Sequence, residues 1–174
     1  MYNIAIAGAT GAVGEELLRV IEEFDLPVKK LVPLASARSV GKVVEFKGET
    51  LKVKELTCEV FEEEEIDIAF FSAGGSVSAK FAPCAAKAGA VVIDNTSYFR
   101  MNPDVPLVVP EVNPEDIVLW KKTGIIANPN CSTIQMVISL APLHKEFGIK
   151  RVDVATYQAV SGAGKKVWRS CLNR

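Results

Sequence analysis

A glycine-rich turn near the start of the chain constrains the fold more than any other feature. The apolar run at residues 3–7 is typical of a buried strand, and the pattern G-x-x-G-x-x-G follows it at residues 8–14. Residues 15–24 then predict an amphipathic helix. A strand, a glycine turn and a helix in this order predict the first unit of a parallel α/β sheet.

The same turn suggests a ligand. Glycines at Gly8, Gly11 and Gly14 allow backbone N–H groups and the helix N-terminus to approach a pyrophosphate, so we predict dinucleotide binding. The alternative is a glycine turn that only packs the helix against the strand, because such a pattern alone has low specificity.

Strands and helices continue to alternate along the chain. We expect strands at residues 30–35, 66–71, 90–93, 107–109, 124–127 and 150–158, a hairpin within 43–53, and helices at 76–88 and 131–147. This alternation predicts a Rossmann-like, doubly wound parallel sheet. Ser76 and Ser78 are candidate caps for the second helix.

The end of the second predicted strand indicates which dinucleotide is favoured. NAD-binding proteins usually carry an acidic residue there for the ribose 2′-hydroxyl. This chain has Ser36, Ala37, Arg38 and Ser39 instead. An arginine flanked by hydroxyls suits a 2′-phosphate, so NADP is favoured over NAD. The alternative is a solvated surface arginine.

Small and polar residues follow two later predicted strands, at residues 72–76 and 94–101. Ligands bind at the carboxyl ends of parallel strands in such folds, so both loops are candidate site loops. Arg100 can hold a phosphate or a carboxylate through its planar guanidinium. A salt bridge to a nearby acid is the alternative for this side chain.

The segment at residues 128–133, Asn-Pro-Asn-Cys-Ser-Thr, places a cysteine where a helix is predicted to begin. Asn130 is a favourable N-cap, and the helix dipole then favours the thiolate form of Cys131, as a nucleophile requires. The alternative is a small buried side chain without chemistry. His144 lies more than three turns farther along the helix, so we expect it to be a structural or surface histidine.

Charge and composition exclude several classes of function. Twenty basic and 21 acidic residues create no field for nucleic acid or an anionic membrane, and no apolar run reaches membrane-spanning length. The N-terminus lacks the pattern of a signal peptide. Cys58, Cys84, Cys131 and Cys171 follow no zinc or CxxC spacing. We therefore expect no metal and a reduced, cytoplasmic protein.

Six segments in order along the chain resemble the N-terminal part of the aspartate-semialdehyde dehydrogenase family. They are residues 8–14, 36–39, 72–76, 94–97 with 99–101, 128–133 and 156–164. The resemblance implies NADP-dependent conversion of 4-aspartyl phosphate to aspartate 4-semialdehyde, on the route to lysine, methionine and threonine. In that reaction a cysteine thiolate displaces phosphate, NADPH reduces the thioester, and the aldehyde is released.

The resemblance also implies roles for single residues. Cys131 would form the acyl-thioester. Arg100 and Asn130 would hold the phosphate, and Gln158 would contact the substrate. The NADP site would be lined by Gly8, Thr10, Gly11, Ala12, Val13, Gly14, Ser36, Arg38, Ser39, Ser72, Ala73, Gly74, Asn95, Ser161 and Gly162.

The family pattern implies two domains. We expect an NADP-binding domain at residues 1–130 and the beginning of an incomplete α+β catalytic and dimerisation domain at residues 131–174. Family members continue for about as long again, through the general acid/base histidine and most of the homodimer interface. We therefore expect little turnover from these residues alone. Because of an unpaired strand, we also expect either poor solubility or self-association. The alternatives are a catalytically silent nucleotide-binding fragment and chemistry like that of N-acetyl-glutamyl-phosphate reductase.

Overall fold

Six parallel strands form the main sheet of residues 1–157, which are the residues that the computed structural model describes. The strands are β1 (Tyr2–Ala7), β2 (Val28–Ala35), β3 (Val43–Phe46), β4 (Glu49–Lys52), β5 (Lys54–Glu55), β6 (Ile68–Phe71), β7 (Val91–Asp94) and β8 (Ile125–Ala127). The helices are α1 (Ala12–Glu23), α2 (Val60–Glu63), α3 (Gly75–Lys87) and α4 (Cys131–Phe147), with 3-10 helices at Ala37–Ser39 and Pro114–Lys122.

The strand order in the sheet is β5-β2-β1-β6-β7-β8, while β3 and β4 form a separate antiparallel hairpin. The chain therefore runs outward from β1 in one direction through β2 and in the other through β6, β7 and β8. This reversal confirms the predicted doubly wound fold. It also creates a crevice between the carboxyl ends of β1 and β6, where such sheets bind ligands.

β1 lies at the centre of the sheet and packs on both faces. Ile4 and Ile6 belong to a buried cluster with the apolar face of α1, whereas Ala5 and Ala7 belong to a second cluster with α3. Alternation of side chains along a strand sends neighbours to opposite faces, which explains this division. Each of the two isoleucines is at most 1% exposed, and such burial stabilises the fold by about 2 kcal/mol per side chain.

Two predicted strands differ from the structure. Residues 107–109 form only an isolated parallel bridge from Leu107 to Ala127. Pro106 and Pro110 flank it and lack the N–H donors that would extend the ladder. Residues 151–157 adopt no regular structure and are exposed, so the strand predicted at 150–158 is wrong for its described part. No strand within residues 1–157 pairs with that segment.

The predicted serine cap of α3 is also wrong. The helix begins after Gly74, whose φ is +99°, and no side chain of the described residues caps it. The Ser78 hydroxyl is fully buried and donates a hydrogen bond to the carboxylate of Asp94 instead. The role of Ser78 therefore depends on its tertiary contact with Asp94, which no local sequence pattern indicates.

Cys58 and Cys84 form a disulfide, with their Cα atoms 5.3 Å apart. The expectation that both are reduced is therefore wrong. Fold topology brings the turn before α2 against α3 at a separation suited to a disulfide, although the residues are 26 positions apart in sequence. Cys131 is free and exposed. No helix within residues 1–157 combines the length and apolar character that crossing a membrane requires.

Candidate functional site

The glycine turn, residues 8–14, packs against the loop that follows β6. Gly8 has a φ of +95°, and a Cβ there would lie 3.1 Å from the backbone nitrogen of Ala73. A Cβ on Gly14 would lie 2.3 Å from the carbonyl oxygen of Gly8. Both positions therefore need glycine for the turn to close. Gly14 lies inside α1 and packs the helix on the turn, so its contact with a cofactor stays a prediction.

The start of α1 is open to an anion. Gly11 precedes the helix in an extended conformation, and no side chain of the described residues caps the helix. The first N–H groups of α1 and the positive end of its dipole therefore point out of the turn. This arrangement matches the helix N-termini that bind phosphate in dinucleotide sites.

A cleft of about 590 Å³ opens beside the glycine turn and is referred to below as the cofactor cleft. Eight of the predicted cofactor residues line it: Gly8, Thr10, Gly11, Ser36, Arg38, Ser39, Ser72 and Ala73. Arg38 is exposed in the 3-10 helix after β2, and no carboxylate within residues 1–157 pairs with it. Its guanidinium can therefore meet an incoming phosphate without breaking an ion pair.

Six lining residues were not among the predicted cofactor residues: Ala35, Ala37, Glu55, Leu56, Val77 and Phe81. Glu55 and Leu56 come from the end of β5, and Val77 and Phe81 come from one face of α3. The two-residue strand β5 gives too weak a pattern to detect. The i, i+4 spacing of Val77 and Phe81 on a predicted helix was a usable signal for a shared face.

Besides Gly14, four described cofactor residues that were predicted from the sequence lie outside the cofactor cleft. Ala12, Val13 and Asn95 line a neighbouring recess of about 540 Å³, whose wall is largely apolar. Gly74 directly precedes α3. The predicted contacts of Gln158, Ser161 and Gly162 lie outside the described residues.

Arg100 follows β7 and is held by backbone carbonyls. Its Nε donates to the oxygen of Asn128 over 2.9 Å, and its Nη2 donates to the oxygen of Asn95 over 3.1 Å. No acid within residues 1–157 forms an ion pair with it, which argues against the salt-bridge alternative. A half-buried guanidinium bound only to neutral carbonyls keeps its full positive charge for a ligand.

Asn95 and Asn128 join the two loops that follow β7 and β8. The side-chain nitrogen of Asn128 donates to the side-chain oxygen of Asn95 over 2.8 Å. The backbone N–H of Asn128 donates to the oxygen of Asp94 over 3.1 Å, which extends the strand pairing into the loops. The segment that leads to Cys131 is therefore tied to the loop that carries Arg100.

Cys131 is the first residue of α4, as predicted. The side-chain oxygen of Asn130 accepts from the backbone N–H of Thr133 over 2.9 Å, which is the geometry of an N-cap. The cysteine is exposed, so the interpretation as a small buried side chain is wrong. Capping uses the side-chain oxygen of Asn130 as an acceptor, and its amide nitrogen is still able to donate a hydrogen bond.

His144 lies near the other end of α4. It is exposed, and its Nδ1 accepts a hydrogen bond from the backbone N–H of Ile149 over 3.1 Å. This contact helps to end the helix and confirms a structural role for this histidine. His144 is 13 positions beyond Cys131 along α4, a distance of about 20 Å by helical rise.

Two family models match the chain. The model described as "Semialdehyde dehydrogenase, NAD binding domain" matches residues 3–120. The model described as "Semialdehyde dehydrogenase, dimerisation domain" matches residues 140–172. Among curated proteins, aspartate-semialdehyde dehydrogenase of Campylobacter jejuni is 72% identical over 164 residues, which cover 94% of this chain and 48% of that protein.

Solved structures give the same match. The structure of aspartate semialdehyde dehydrogenase II from Vibrio cholerae, complexed with ASA, has a TM-score of 0.95 and 53% identity, and covers 99% of this chain and 51% of that one. The Candida albicans enzyme with NADP has a TM-score of 0.73 and 31% identity, and covers 86% of this chain and 48% of that one. The chain thus spans about half the length of these relatives.

Proposed function

The chain belongs to the semialdehyde dehydrogenase family, and we propose that it supplies the cofactor site and the nucleophile of an NADP-dependent aspartate-semialdehyde dehydrogenase. One observation carries the proposal. The carbonyl of Asn128, three residues before the exposed Cys131, binds a guanidinium that has no acidic partner in the described chain. This supports the proposal, because Cys131 as the proposed nucleophile and Arg100 as the proposed anion-binding group are on linked loops at one edge of the sheet.

The proposed chemistry begins with 4-aspartyl phosphate. The Cys131 sulfur attacks the acyl carbon, a sulfur–carbon bond forms, and the carbon–oxygen bond to phosphate breaks with its electron pair leaving on the phosphate. Arg100 and the amide of Asn130 bind the phosphate and stabilise the charge that it gains. The loops that follow β7 and β8 hold these groups in place, because the Asn95–Asn128 hydrogen bond links them.

The chain carries the family's domain for a nicotinamide cofactor. Within that class we propose NADP, since Ser36, Arg38 and Ser39 line the cofactor cleft directly after β2, where the sequence carries no acid. The acid in the lining, Glu55, comes from β5 instead. Gly8 and Gly11 leave room for a pyrophosphate at the start of α1. When bound, NADPH supplies the hydride that reduces the acyl group.

We propose a second copy of this protein as the partner. The matched dimerisation model begins within α4. That helix has no buried residue, and Ile138, Leu143 and Phe147 are 40–78% exposed. An apolar helix without a buried face needs a partner surface. Sedimentation of the chain across a range of concentrations tests this, and a monomer throughout would contradict it.

The half-reaction tests the enzymatic proposal without requiring turnover. The 174-residue chain is mixed with 4-aspartyl phosphate, and the mass of the peptide that contains Cys131 is measured together with the released phosphate. We expect one acyl adduct per phosphate released, and none with Cys131→Ser. NADPH binding without any adduct would favour the silent nucleotide-binding alternative. If N-acetyl-glutamyl phosphate forms an adduct and 4-aspartyl phosphate does not, the result favours the chemistry of N-acetyl-glutamyl-phosphate reductase.

A further inference from the structure

One charged side chain in the core has no place in the proposed chemistry. Asp94, the last residue of β7, is 0% exposed. It lies on the same side of the strand as Val92, toward the cluster of buried side chains that includes α3. A carboxylate buried among apolar groups is costly unless hydrogen bonds satisfy it, so its presence needs an explanation.

Three hydrogen bonds satisfy this carboxylate. Ser78 donates from its hydroxyl to Oδ1 over 2.8 Å, the backbone N–H of Thr96 donates to Oδ1 over 3.1 Å, and the Thr96 hydroxyl donates to Oδ2 over 2.9 Å. No cation within residues 1–157 pairs with Asp94. The carboxylate therefore orders its own turn and the first turn of α3.

The turn that Asp94 orders contains Asn95. The Asn95 backbone oxygen accepts from Arg100 over 3.1 Å, and its side-chain oxygen accepts from Asn128 over 2.8 Å. Both Asn95 oxygens keep their positions only while the backbone of residues 94–96 keeps its conformation. The Thr96 hydroxyl also accepts from the backbone N–H of Tyr98 over 3.3 Å, which continues the ordered turn toward Arg100.

The Asp94 carboxylate also contacts α3, through its hydrogen bond with Ser78. Ser78 lies in the first turn of α3, next to Val77, which lines the cofactor cleft. One buried group thus connects the loop of the anion-binding arginine with the helix that borders the cofactor cleft. Mere packing would not require a charge there, because a neutral apolar residue would fill the space at lower cost.

We propose that Asp94 is a positioning residue that acts through Thr96 and Ser78 to aim the Asn95 carbonyl and so hold Arg100 ready for the phosphate of the substrate. This inference rests on the proposed function, because it assigns Arg100 to anion binding. Loss of the Asp94 hydrogen bonds should weaken anion binding at Arg100 and leave the sheet intact.

Inorganic phosphate is the probe, and protection of Cys131 from iodoacetamide is the readout. The rate of alkylation is followed by the mass of the Cys131 peptide at increasing phosphate concentrations, for the parent chain and for Asp94→Asn, Thr96→Val, Thr96→Ser and Arg100→Gln. We expect Asp94→Asn and Thr96→Val to raise the half-protecting concentration by about tenfold, as loss of a charge-assisted contact does. Thr96→Ser keeps the hydroxyl and should match the parent within about twofold.

Each outcome bears on the inference. Equal protection in Thr96→Val, Asp94→Asn and the parent overturns the positioning role. An equal loss in Thr96→Ser and Thr96→Val also overturns it, because the hydroxyl would then be irrelevant. If phosphate protects the parent and Arg100→Gln equally, or protects neither, the anion-binding role of Arg100 fails and both proposals fall. Circular dichroism identifies a variant that does not fold, and the Thr96 pair then decides without Asp94→Asn.

Discussion

Arg100 and Asn128 are joined by a hydrogen bond of 2.9 Å from the guanidinium Nε to the backbone oxygen. Asn128 ends the pairing of β8 with β7, and Pro129 and Asn130 then lead directly into α4. The bond therefore connects a cation on one loop with the segment that leads to Cys131, the proposed nucleophile, on the next. Because both loops leave the carboxyl edge of the same sheet, the strand register fixes the spacing between them.

Replacement of Arg100 by lysine tests the value of the planar guanidinium. Lysine keeps the charge but cannot bind two carbonyls and an anion in one plane. We expect the half-protecting phosphate concentration for Cys131 to rise by about tenfold, and the dissociation constant of NADPH to stay within about twofold. Arg19→Lys on the exposed face of α1 is the matched control and should change neither. If the half-protecting phosphate concentration is the same in Arg100→Lys and in the parent, a positive charge without the planar guanidinium is enough for phosphate binding.

Removal of Arg38 tests the choice of cofactor. Arg38 lines the cofactor cleft, so Arg38→Ala should weaken NADPH binding by about tenfold or more and leave NADH binding almost unchanged. Fluorescence titration of both cofactors measures the two dissociation constants. Lys42→Ala removes an exposed positive charge close in sequence and should affect neither. Equal losses for NADPH and NADH would contradict contact with the 2′-phosphate.

Local signals predicted the fold and the loops, but not the contacts between distant segments. Short apolar runs located the strands of the main sheet other than β5, and the N-cap chemistry of Asn130 placed Cys131 at the start of α4. The buried Asp94–Ser78 pair joins residues 16 positions apart, and the Cys58–Cys84 disulfide joins residues 26 positions apart. Such partners are chosen by how α3 packs on the sheet, and no local pattern specifies that.

The disulfide should contribute to stability through the chain that it closes. Cys58 and Cys84 are 26 residues apart, and a closed loop of that length stabilises a fold by about 3 kcal/mol by limiting the unfolded chain. Reduction with a dithiol, or the Cys58→Ser substitution, should lower the free energy of unfolding by up to that amount. Urea denaturation measures it. Cys131→Ser, which alters a free thiol, should unfold at the urea concentration of the parent.

Glu64 should make stability depend on pH in the acid range. Its carboxylate forms ion pairs with Lys30 of β2 and Lys54 of β5, and hydrogen bonds from these two lysines hold its pKa below the ordinary value of 4.5. Because the folded pKa is the lower one, the stabilisation is present above about pH 4.5 and is lost as pH falls through the folded pKa. Urea denaturation between pH 3 and pH 7 should show a smaller acid loss for Glu64→Gln than for the parent. Glu63→Gln, an exposed neighbour on α2, is the control, and an acid loss that is identical in all three proteins would contradict the assignment.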